Sequence, residues 1–306
     1  MVLRYNDGWC IKQRLVRFAM LASPITGEEC ASLLTGVLCT HLGLNLSHVV
    51  GFMHDRASIN QAAMSILGVI FRNSLSVPCM SHGLDNVGKR FDIPLLMEFH
   101  KSWNQIFSHS TRSRLQFRSF FGESLRSHSN TRWWSWYESL CQIHRFWDRI
   151  PTFLATLDAS ESSRDNTATM LRNEKPNISI QLVLVVESAK PLVSVTYELE
   201  GDGFLSVEAY ARISYLQEFY DNYLGGTHQL LSAEIKRQAK GNPLRERELT
   251  KDALASLHPA VDYLKCMLTS SYLTAVNQFK AIRMCSPYYI NEIKLAVEEL
   301  CIFPVL

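Results

Sequence analysis

The stretch HVVGFMHDRASINQAAM, residues 48–64, decides the fold class of this chain. Its short apolar run predicts a buried strand that ends at Asp55. Ser58, followed three residues later by Gln61, predicts that a helix begins there with Ser58 as its N-cap. A strand followed directly by a helix is typical of α/β proteins. The apolar stripe of this helix would consist of Ala62, Ala63, Ile66, Leu67 and Ile70.

The segments on either side extend this pattern. VLRYND and GWCIKQRLVRFAML predict two strands joined by a turn at Asn6-Asp7-Gly8. TGEECASLLTGVLCTHLG predicts a helix with a capping box between Thr26 and Glu29 and a stop at Gly43. SLSVPCM predicts a further strand, and helical patterning runs from Gly83 to about Cys141. The order β-β-α-β-α-β followed by helices predicts an α/β layer with a helical extension.

Two later segments are harder to assign. The polar residues 158–178 predict a boundary, which gives domains 1–157 and 158–306. ISIQLVLVVESAKPLVSVTYELEGDG, which follows, has the composition of strands but is surrounded by helical patterns. Its residues alone leave strand and helix open.

Composition is that of a globular protein with an ordinary charge balance. The 306 residues are 47% hydrophobic, and the net charge of +2 is too small to predict nucleic-acid binding. Residues 101–150 carry about +5 and residues 151–210 about −5. This asymmetry fits either a basic binding surface or two solvated faces of opposite sign.

The cysteines and the apolar runs bear on the compartment. The eight cysteines are scattered without a CxxC pair, and the start MVLRYNDGWC has no signal-peptide core. We therefore expect a reducing, intracellular compartment. The longest apolar run, LVLVV, is too short to cross a bilayer, so no membrane partner is expected.

Three residues are candidates for chemistry. Asp55 follows a strand, where open α/β sheets place ligands, but a lone carboxylate more often caps the next helix or pairs with Arg56. Cys79 and His82 have CxxH spacing, but zinc would need two more ligands. A structural cysteine beside a hydrogen-bonded histidine is the alternative.

The stretch TRWWSWY, residues 131–137, offers aromatic rings beside an arginine. Helical spacing predicts that Trp133 faces the same way as Trp136 or Tyr137, with Trp134 turned away. Core packing is the ordinary explanation. Stacking of a base on tryptophan, with Arg132 at a phosphate, is the functional one, and the residues alone favour packing.

Four segments in succession resemble the motifs of hAT-superfamily transposases: HDRASINQAAM, CMSHGLDNVGKRF, WNQIFSHSTRSRLQF and SHSNTRWWSWYE. VTYELEGDGFLSVEAY and FKAIRMCSPYYINEIK are similar to that family's helical insertion and its exit. The resemblance implies a partial RNase H-like α/β layer interrupted by a large helical insertion. It also implies that the ambiguous segment after residue 178 is helical.

The resemblance implies roles for the candidate residues. Asp55 matches the second carboxylate of the family's Asp-Asp-Glu metal-binding triad, and Cys79 and His82 match the CxxH beside that active site. Arg132 and Trp133 match the Arg-Trp motif, whose tryptophan stacks near the flipped base of hairpin DNA ends. Trp134 is added to this DNA-binding set, with packing as the alternative for Trp134 and Trp136.

The same resemblance limits the expected activity. The strand with the family's first aspartate would precede this sequence, and the catalytic glutamate and dimerisation region would follow it, so Asp55 is the only triad carboxylate expected. No Mg or Mn is expected in this chain, although intact family members use one of them. We expect an inactive, nuclear, transposase-derived protein with weak DNA binding, or with a full-length relative as partner. The alternative is a helical module that binds another protein.

Overall fold

The computed structural model describes residues 2–7, 10–16, 23–108, 110–126, 132–157, 161–201, 206–286 and 288–289. Within these ranges the protein is mostly helical, with two sheets of two strands each. The strands are β1 (Val2–Asp7), β2 (Cys10–Leu15), β3 (Gly51–His54) and β4 (Leu75–Pro78). The predicted order β-β-α-β-α-β followed by helices is confirmed. The helices are α1 (Gly27–Thr35), α2 (Ser58–Ile70), α3 (Met80–Gly88), α4 (Pro94–Phe107), α5 (Thr111–Phe121), α6 (Trp133–Phe146), α7 (Ile150–Thr156), α8 (Glu161–Ser188), α9 (Lys190–Glu200), α10 (Ser206–Leu224), α11 (Gln229–Ala239), α12 (Pro243–Cys266) and α13 (Leu273–Ile282).

The chain divides into two compact units. Unit 1 comprises Met1–Met80 together with Tyr272–Leu306, and unit 2 comprises Ser81–Ser271. Unit 2 is therefore inserted between the two segments of unit 1. The predicted boundary between residues 157 and 158 falls inside unit 2, because α8 packs along α4 and α6 from the other side of that position.

Helix α1 of unit 1 begins as its sequence predicts. Glu29 Oε2 accepts a hydrogen bond from the Thr26 N–H at 2.7 Å, and Thr26 Oγ1 accepts one from the Glu29 N–H at 3.2 Å. This reciprocal pair confirms the capping box. A π-helical segment, Gly36–His41, continues α1, and the chain then turns at Gly43 with φ +61. Gly43 therefore ends the helix in the left-handed region that favours glycine.

The strands of unit 1 form two separate pairs. β1 and β2 are antiparallel, with Val2 opposite Leu15. Of the predicted turn residues, Asn6 and Asp7 are instead paired residues of β1, and Gly8 lies outside the described residues. β3 and β4 are parallel, with Gly51 opposite Leu75. The predicted strand is present as β3, but it ends at His54 instead of Asp55 and it is not buried. Its residues alternate between exposed and half-buried, since only one face of this two-stranded sheet is covered.

The start of α2 also differs from its prediction. The helix begins at Ser58, but the N-cap is Ala57 and no side chain of its own caps it. Asp55 Oδ1 accepts the Ala57 N–H at 3.0 Å, which forms a turn directly before the helix but does not satisfy the N–H groups that a Ser58 cap would have bound. The predicted apolar stripe is represented in the core by Ala63 and Leu67, both fully buried.

Helix α8 lies at the centre of unit 2 and occupies most of the segment 158–178 in which the sequence predicted a boundary. It begins at Glu161 and packs against α4, α6, α7, α9, α11 and α12. Its polar first half is anchored by Thr167, which is fully buried and hydrogen-bonded to Ser102 at 2.7 Å. Its second half buries Leu182, Leu184 and Val185, so tertiary packing decides for helix against a strand-like composition. The helices implied after residue 178 are confirmed.

Helix α8 also supplies caps to its neighbours. Gln181 Oε1 accepts the Leu96 N–H of α4 at 2.9 Å. Glu187 accepts the N–H groups of Leu230 and Leu231 in α11 at 2.8 and 2.9 Å. Neither α4 nor α11 has a side-chain cap of its own. The first turns of both helices therefore depend on α8 for their hydrogen bonds.

The core between α4, α5 and α7 is built from aromatic rings. Trp103 lies edge-on to Phe107 with centroids 5.0 Å apart, and Phe117 lies 4.6 Å from Phe121. Phe153 of α7 contacts both Trp103 and Phe117 at about 6 Å. This cluster fixes the scaffold on which α6 is placed.

No single helix in the described ranges is both long and apolar enough to cross a membrane, although the bent pair Ser163–Ser188 and Lys190–Glu200 passes by length and composition together.

Candidate nucleic-acid interface at the start of helix α6

The first turn of α6 is held by a residue from another helix. Arg132 is the N-cap but makes no side-chain cap. Asp85 of α3 takes over this function, because its Oδ1 accepts the Trp133 N–H at 2.6 Å. Asp85 is only 6% exposed, and its Oδ2 pairs with Lys89 Nζ at 2.7 Å. A buried carboxylate at a helix N-terminus meets both the free N–H groups and the positive end of the helix dipole.

The Trp133 ring is packed within unit 2. It stacks on Phe91 with centroids 5.5 Å apart and planes at 22°. Gly88 lies directly against it, since a Cβ at Gly88 would stand 2.3 Å from Trp133 Cδ2. Trp136 and Tyr137 are 5.7 and 6.3 Å away, which confirms their predicted common face. For Trp133 the contacts are those of a packing residue, so a base would reach its ring only if these neighbours moved.

Arg132 and Trp134 form a separate group at the surface. The Arg132 guanidinium lies 5.5 Å from the centroid of the Trp134 ring, and its Nη1 pairs with Glu200 Oε1 of α9 at 2.7 Å. Trp134 in turn packs against Tyr197, with centroids 5.0 Å apart. The Arg132 side chain is 50% exposed. We refer to Arg132, Trp134, Tyr197 and Glu200 as the Arg132 patch.

A second acid adjoins the Arg132 patch. Glu138 accepts a short hydrogen bond from the Tyr197 hydroxyl, and its other oxygen pairs with Arg126 Nη1 at 3.2 Å. Burial raises the pKa of Tyr197, and the hydrogen bond and charge of Glu138 raise it further. Tyr197 therefore remains a neutral donor, which fixes its ring against Trp134.

The basic stretch 101–150 is partly neutralised by acids. Arg132 pairs with Glu200, which belongs to the acidic stretch 151–210. Arg126 and Arg145 pair with Glu138 and Glu123, which lie within the basic stretch itself. The charge asymmetry is therefore a property of the sequence, whereas in the structure each of these three arginines is paired with a glutamate.

Asp55 is engaged in local hydrogen bonds. Its Oδ1 accepts from the Ala57 N–H at 3.0 Å and from Asn60 Nδ2 at 2.6 Å. The carboxylate thus contributes to the start of α2, as the capping alternative predicts. Within the described ranges no group of three His, Cys, Asp or Glu residues is placed to hold a metal ion. These residues alone do not complete a two-metal site, and the metal role of Asp55 stays a prediction.

Cys79 and His82 belong to different units. Cys79 follows β4 in unit 1, where its N–H donates to the His54 carbonyl oxygen at 2.7 Å, and its thiol is free. His82 lies in α3 and is exposed. The predicted role of both residues beside a catalytic centre stays a prediction.

Several residues of the site have no signal in the sequence. Asp85, Tyr197 and Glu200 reach α6 from 48 to 68 positions away, which spacing rules within one helix cannot detect. Trp136 was assigned to packing, yet it also forms one wall of an open groove. The groove is lined by Met97, Glu98, His100, Lys101, Asn104, Gln105, Ser108 and Trp136.

Comparisons with known proteins add no relative: no protein-family model matches this sequence, and no curated protein or solved structure matches it.

Proposed function

We propose that this protein derives from a hAT-like transposase, binds DNA weakly through the Arg132 patch, and does not cleave DNA on its own. The observation that carries the proposal is the division of the chain. A helical unit, Ser81–Ser271, is inserted into a small unit that contains all four described strands. An α/β layer interrupted by a helical insertion is the architecture that the resemblance implies for this family.

The strands of unit 1 support the RNase H-like part of the proposal. The sheet of that fold has a central strand with antiparallel partners on one side and parallel partners on the other. The described strands form one antiparallel pair, β1–β2, and one parallel pair, β3–β4. One antiparallel and one parallel pair are compatible with the two sides of such a sheet, and Asp55 follows β3, the position that the resemblance implies for the family's second carboxylate.

In the Arg132 patch, a DNA phosphate can replace the Glu200 carboxylate as the partner of Arg132. An exposed ion pair contributes about 0–1 kcal/mol, so replacing the Glu200 carboxylate by a phosphate would cost little. A guanidinium binds phosphate oxygens in the same bidentate geometry that it offers to carboxylates. Since Arg132 is 50% exposed and held over Trp134, it can contact a phosphate without leaving its position.

The test is fluorescence anisotropy of labelled hairpin and blunt duplex DNA with the purified full chain at two salt concentrations. We expect Arg132→Ala to weaken binding and Glu200→Gln to tighten it by about threefold to tenfold, because a competing charge is removed. Glu123→Gln is the matched control, since it releases Arg145 at the other end of α6. Equal tightening by Glu123→Gln would mean that net charge, and not the Arg132 patch, sets the affinity.

A second arm tests the proposed lack of cleavage. Labelled hairpin and duplex DNA are incubated with the protein and Mg²⁺ or Mn²⁺, and strand breaks are resolved on a denaturing gel. We expect intact DNA, since Asp55 is the one triad carboxylate that the family resemblance assigns to this sequence and two-metal chemistry needs several. Breaks that disappear in Asp55→Asn would overturn this part of the proposal.

One observation favours the alternative of a helical protein-interaction module. Arg126, Arg132 and Arg145 are each paired with a glutamate, which lowers the positive potential that DNA would meet. A module of this kind would form a complex that resists moderate salt, whereas DNA binding falls steeply as salt rises. In the anisotropy experiment, binding that falls steeply with salt supports the DNA function, and absence of DNA binding at low salt favours the protein-interaction module.

A further inference from the structure

Helix α5 and the residue before α7 present arginines that are not neutralised by acids. Arg114 and Arg118 lie one turn apart on α5, and both are exposed. Arg149, directly before α7, reaches the last turn of α5, where its Nη2 donates to the Phe120 carbonyl oxygen at 2.9 Å. Within the described ranges these three arginines form no ion pair, in contrast to the three arginines that are paired with glutamates near α6.

Two of these guanidinium groups are held by neutral partners. Arg114 Nε donates to the Phe107 carbonyl oxygen at 3.1 Å. The Arg149 guanidinium lies 5.2 Å from the ring centroids of both Phe120 and Phe121, in addition to its hydrogen bond. These contacts restrict the two side chains but leave their charge unbalanced. An anion that binds here therefore costs little additional side-chain entropy.

The arrangement of charge on α5 does not stabilise the helix. Arg114 and Arg118 are like charges at a spacing of four, which is unfavourable on a helix surface. The segment 110–122 contains no acid that could offset them. Helix α5 is instead fixed from inside by the buried Phe117 and Phe121. Its outer face is therefore a rigid basic surface that gains stability when a ligand supplies negative charge.

The same face also carries an exposed apolar side chain. Leu115 is 60% exposed. It lies three residues before Arg118, so their side chains are neighbours on the helix, with Arg114 on the other side of Arg118. A phosphate backbone gains nothing from a leucine at this position, whereas an apolar residue of a protein partner would remove it from water. The combination favours a protein partner over DNA.

We propose that Arg114, Leu115, Arg118 and Arg149, the α5 face, dock an acidic protein segment with an apolar residue among its carboxylates. Each guanidinium offers a carboxylate two parallel N–H donors, and the apolar residue of the partner would cover Leu115. The α5 face lies within unit 2 and shares no residue with the Arg132 patch. The proposal therefore goes beyond the proposed DNA binding and is independent of it.

The experiment uses the purified full chain and a fluorescein-labelled helical peptide whose leucines are flanked by glutamates, with anisotropy as the readout. The same peptide with glutamine for each glutamate is the control for charge. We expect the acidic peptide to bind about tenfold more weakly to Arg118→Glu and about threefold more weakly to Leu115→Ala. Arg172→Glu and Leu230→Ala are the matched controls, because they change an exposed arginine and an exposed leucine elsewhere in unit 2.

The pattern across the variants decides the proposal. Binding of the acidic peptide that is weakened by Arg118→Glu and Leu115→Ala, but not by the matched controls, supports it. Absence of binding, equal binding of the glutamine peptide, equal weakening by Arg172→Glu, or no effect of Leu115→Ala overturns it. Labelled duplex DNA is titrated with the same variants. If Arg118→Glu weakens DNA binding and the acidic peptide does not bind, the α5 face is a phosphate-binding surface, which overturns the docking of protein and leaves the proposed DNA binding standing.

Discussion

The Asp85 carboxylate caps Trp133 from a distance of 48 positions in sequence, through a 2.6 Å hydrogen bond to its backbone N–H. The aromatic stretch of α6 is thus fixed by α3 before any ligand is present. Asp85 also pairs with Lys89, four residues later and directly after the end of α3. The same carboxylate therefore links the end of α3 to the start of α6, and its removal should affect both.

Asp85→Ala should lower the free energy of unfolding by about 1–2 kcal/mol, because a helix cap is lost and Lys89 is left without its partner. Asp85→Asn keeps an acceptor for the Trp133 N–H and should cost less. Urea unfolding followed by circular dichroism measures both. Asp92→Ala, at an exposed aspartate of the same unit, is the control and should change stability little. Equal losses in Asp85→Ala and Asp92→Ala would contradict the capping role.

Gly88→Ala tests the packing of Trp133. The new Cβ would lie 2.3 Å from the indole, so the ring must move, at a cost of about 1–3 kcal/mol. We expect lower stability and altered tryptophan emission. Gly68→Ala is the matched control, because Gly68 is an exposed residue of α2 and no atom lies within 4 Å of the added Cβ. It should raise stability by about 0.5–1 kcal/mol through helix propensity, and a similar gain in Gly88→Ala would show that Trp133 is loosely held.

Glu187→Ala tests the cap that α8 supplies to α11. It removes the acceptor of the Leu230 and Leu231 N–H groups and leaves the hydroxyl of the buried Tyr223 without its partner. We expect a loss of about 2–3 kcal/mol in the free energy of unfolding. Tyr223→Phe removes only the hydroxyl and should cost about 1 kcal/mol. Amide hydrogen exchange in α11 should increase in Glu187→Ala only; equal increases in both variants would assign the effect to Tyr223.

Glu234 should make stability depend on pH. Burial raises its pKa, but hydrogen bonds from Arg237, Ser179 and Gln238 outweigh that effect, so the pKa is lowered below 4.5 overall. A carboxylate with a lowered pKa stabilises the fold above its ordinary pKa, and this contribution is lost as the pH falls through the folded value. The difference in unfolding free energy between wild type and Glu234→Gln should therefore shrink as the pH falls from neutral through the ordinary glutamate pKa towards the lowered pKa of the folded state. Glu218→Gln, at an exposed site, should show no such trend.

The sequence predicted those features that depend on contacts between residues close together in the chain. Thr26 and Glu29 are three residues apart and contact each other directly, so the sequence alone was enough to place the start of α1. The common face of Trp133 and Trp136 followed from helical spacing in the same way. Residues 161–178 were misassigned because a partly exposed helix that meets its neighbours through Thr167 has little apolar signal of its own.

The sequence singled out Arg132, Trp133 and Trp134 but did not predict their contacts. Arg132 meets Glu200 across 68 positions and Trp136 meets His100 across 36, and neither pairing leaves a periodic trace. These contacts decide which ring is packed and which lines the groove. Trp133 can pack at this position because Gly88 has no side chain. The sequence shows the glycine but does not show that Trp133 lies against it.

The cap from Gln181 to Leu96 has a consequence for how the protein is made. The two residues are 85 positions apart, so α4 leaves the ribosome long before the side chain that completes its first turn has been synthesised. Until α8 has emerged, the first turn of α4 lacks this acceptor and the face of α4 that packs on α8 stays uncovered, although its aromatic rings can already pack on α5 and α7. A chain that ended after residue 157 would leave this face of α4 permanently uncovered.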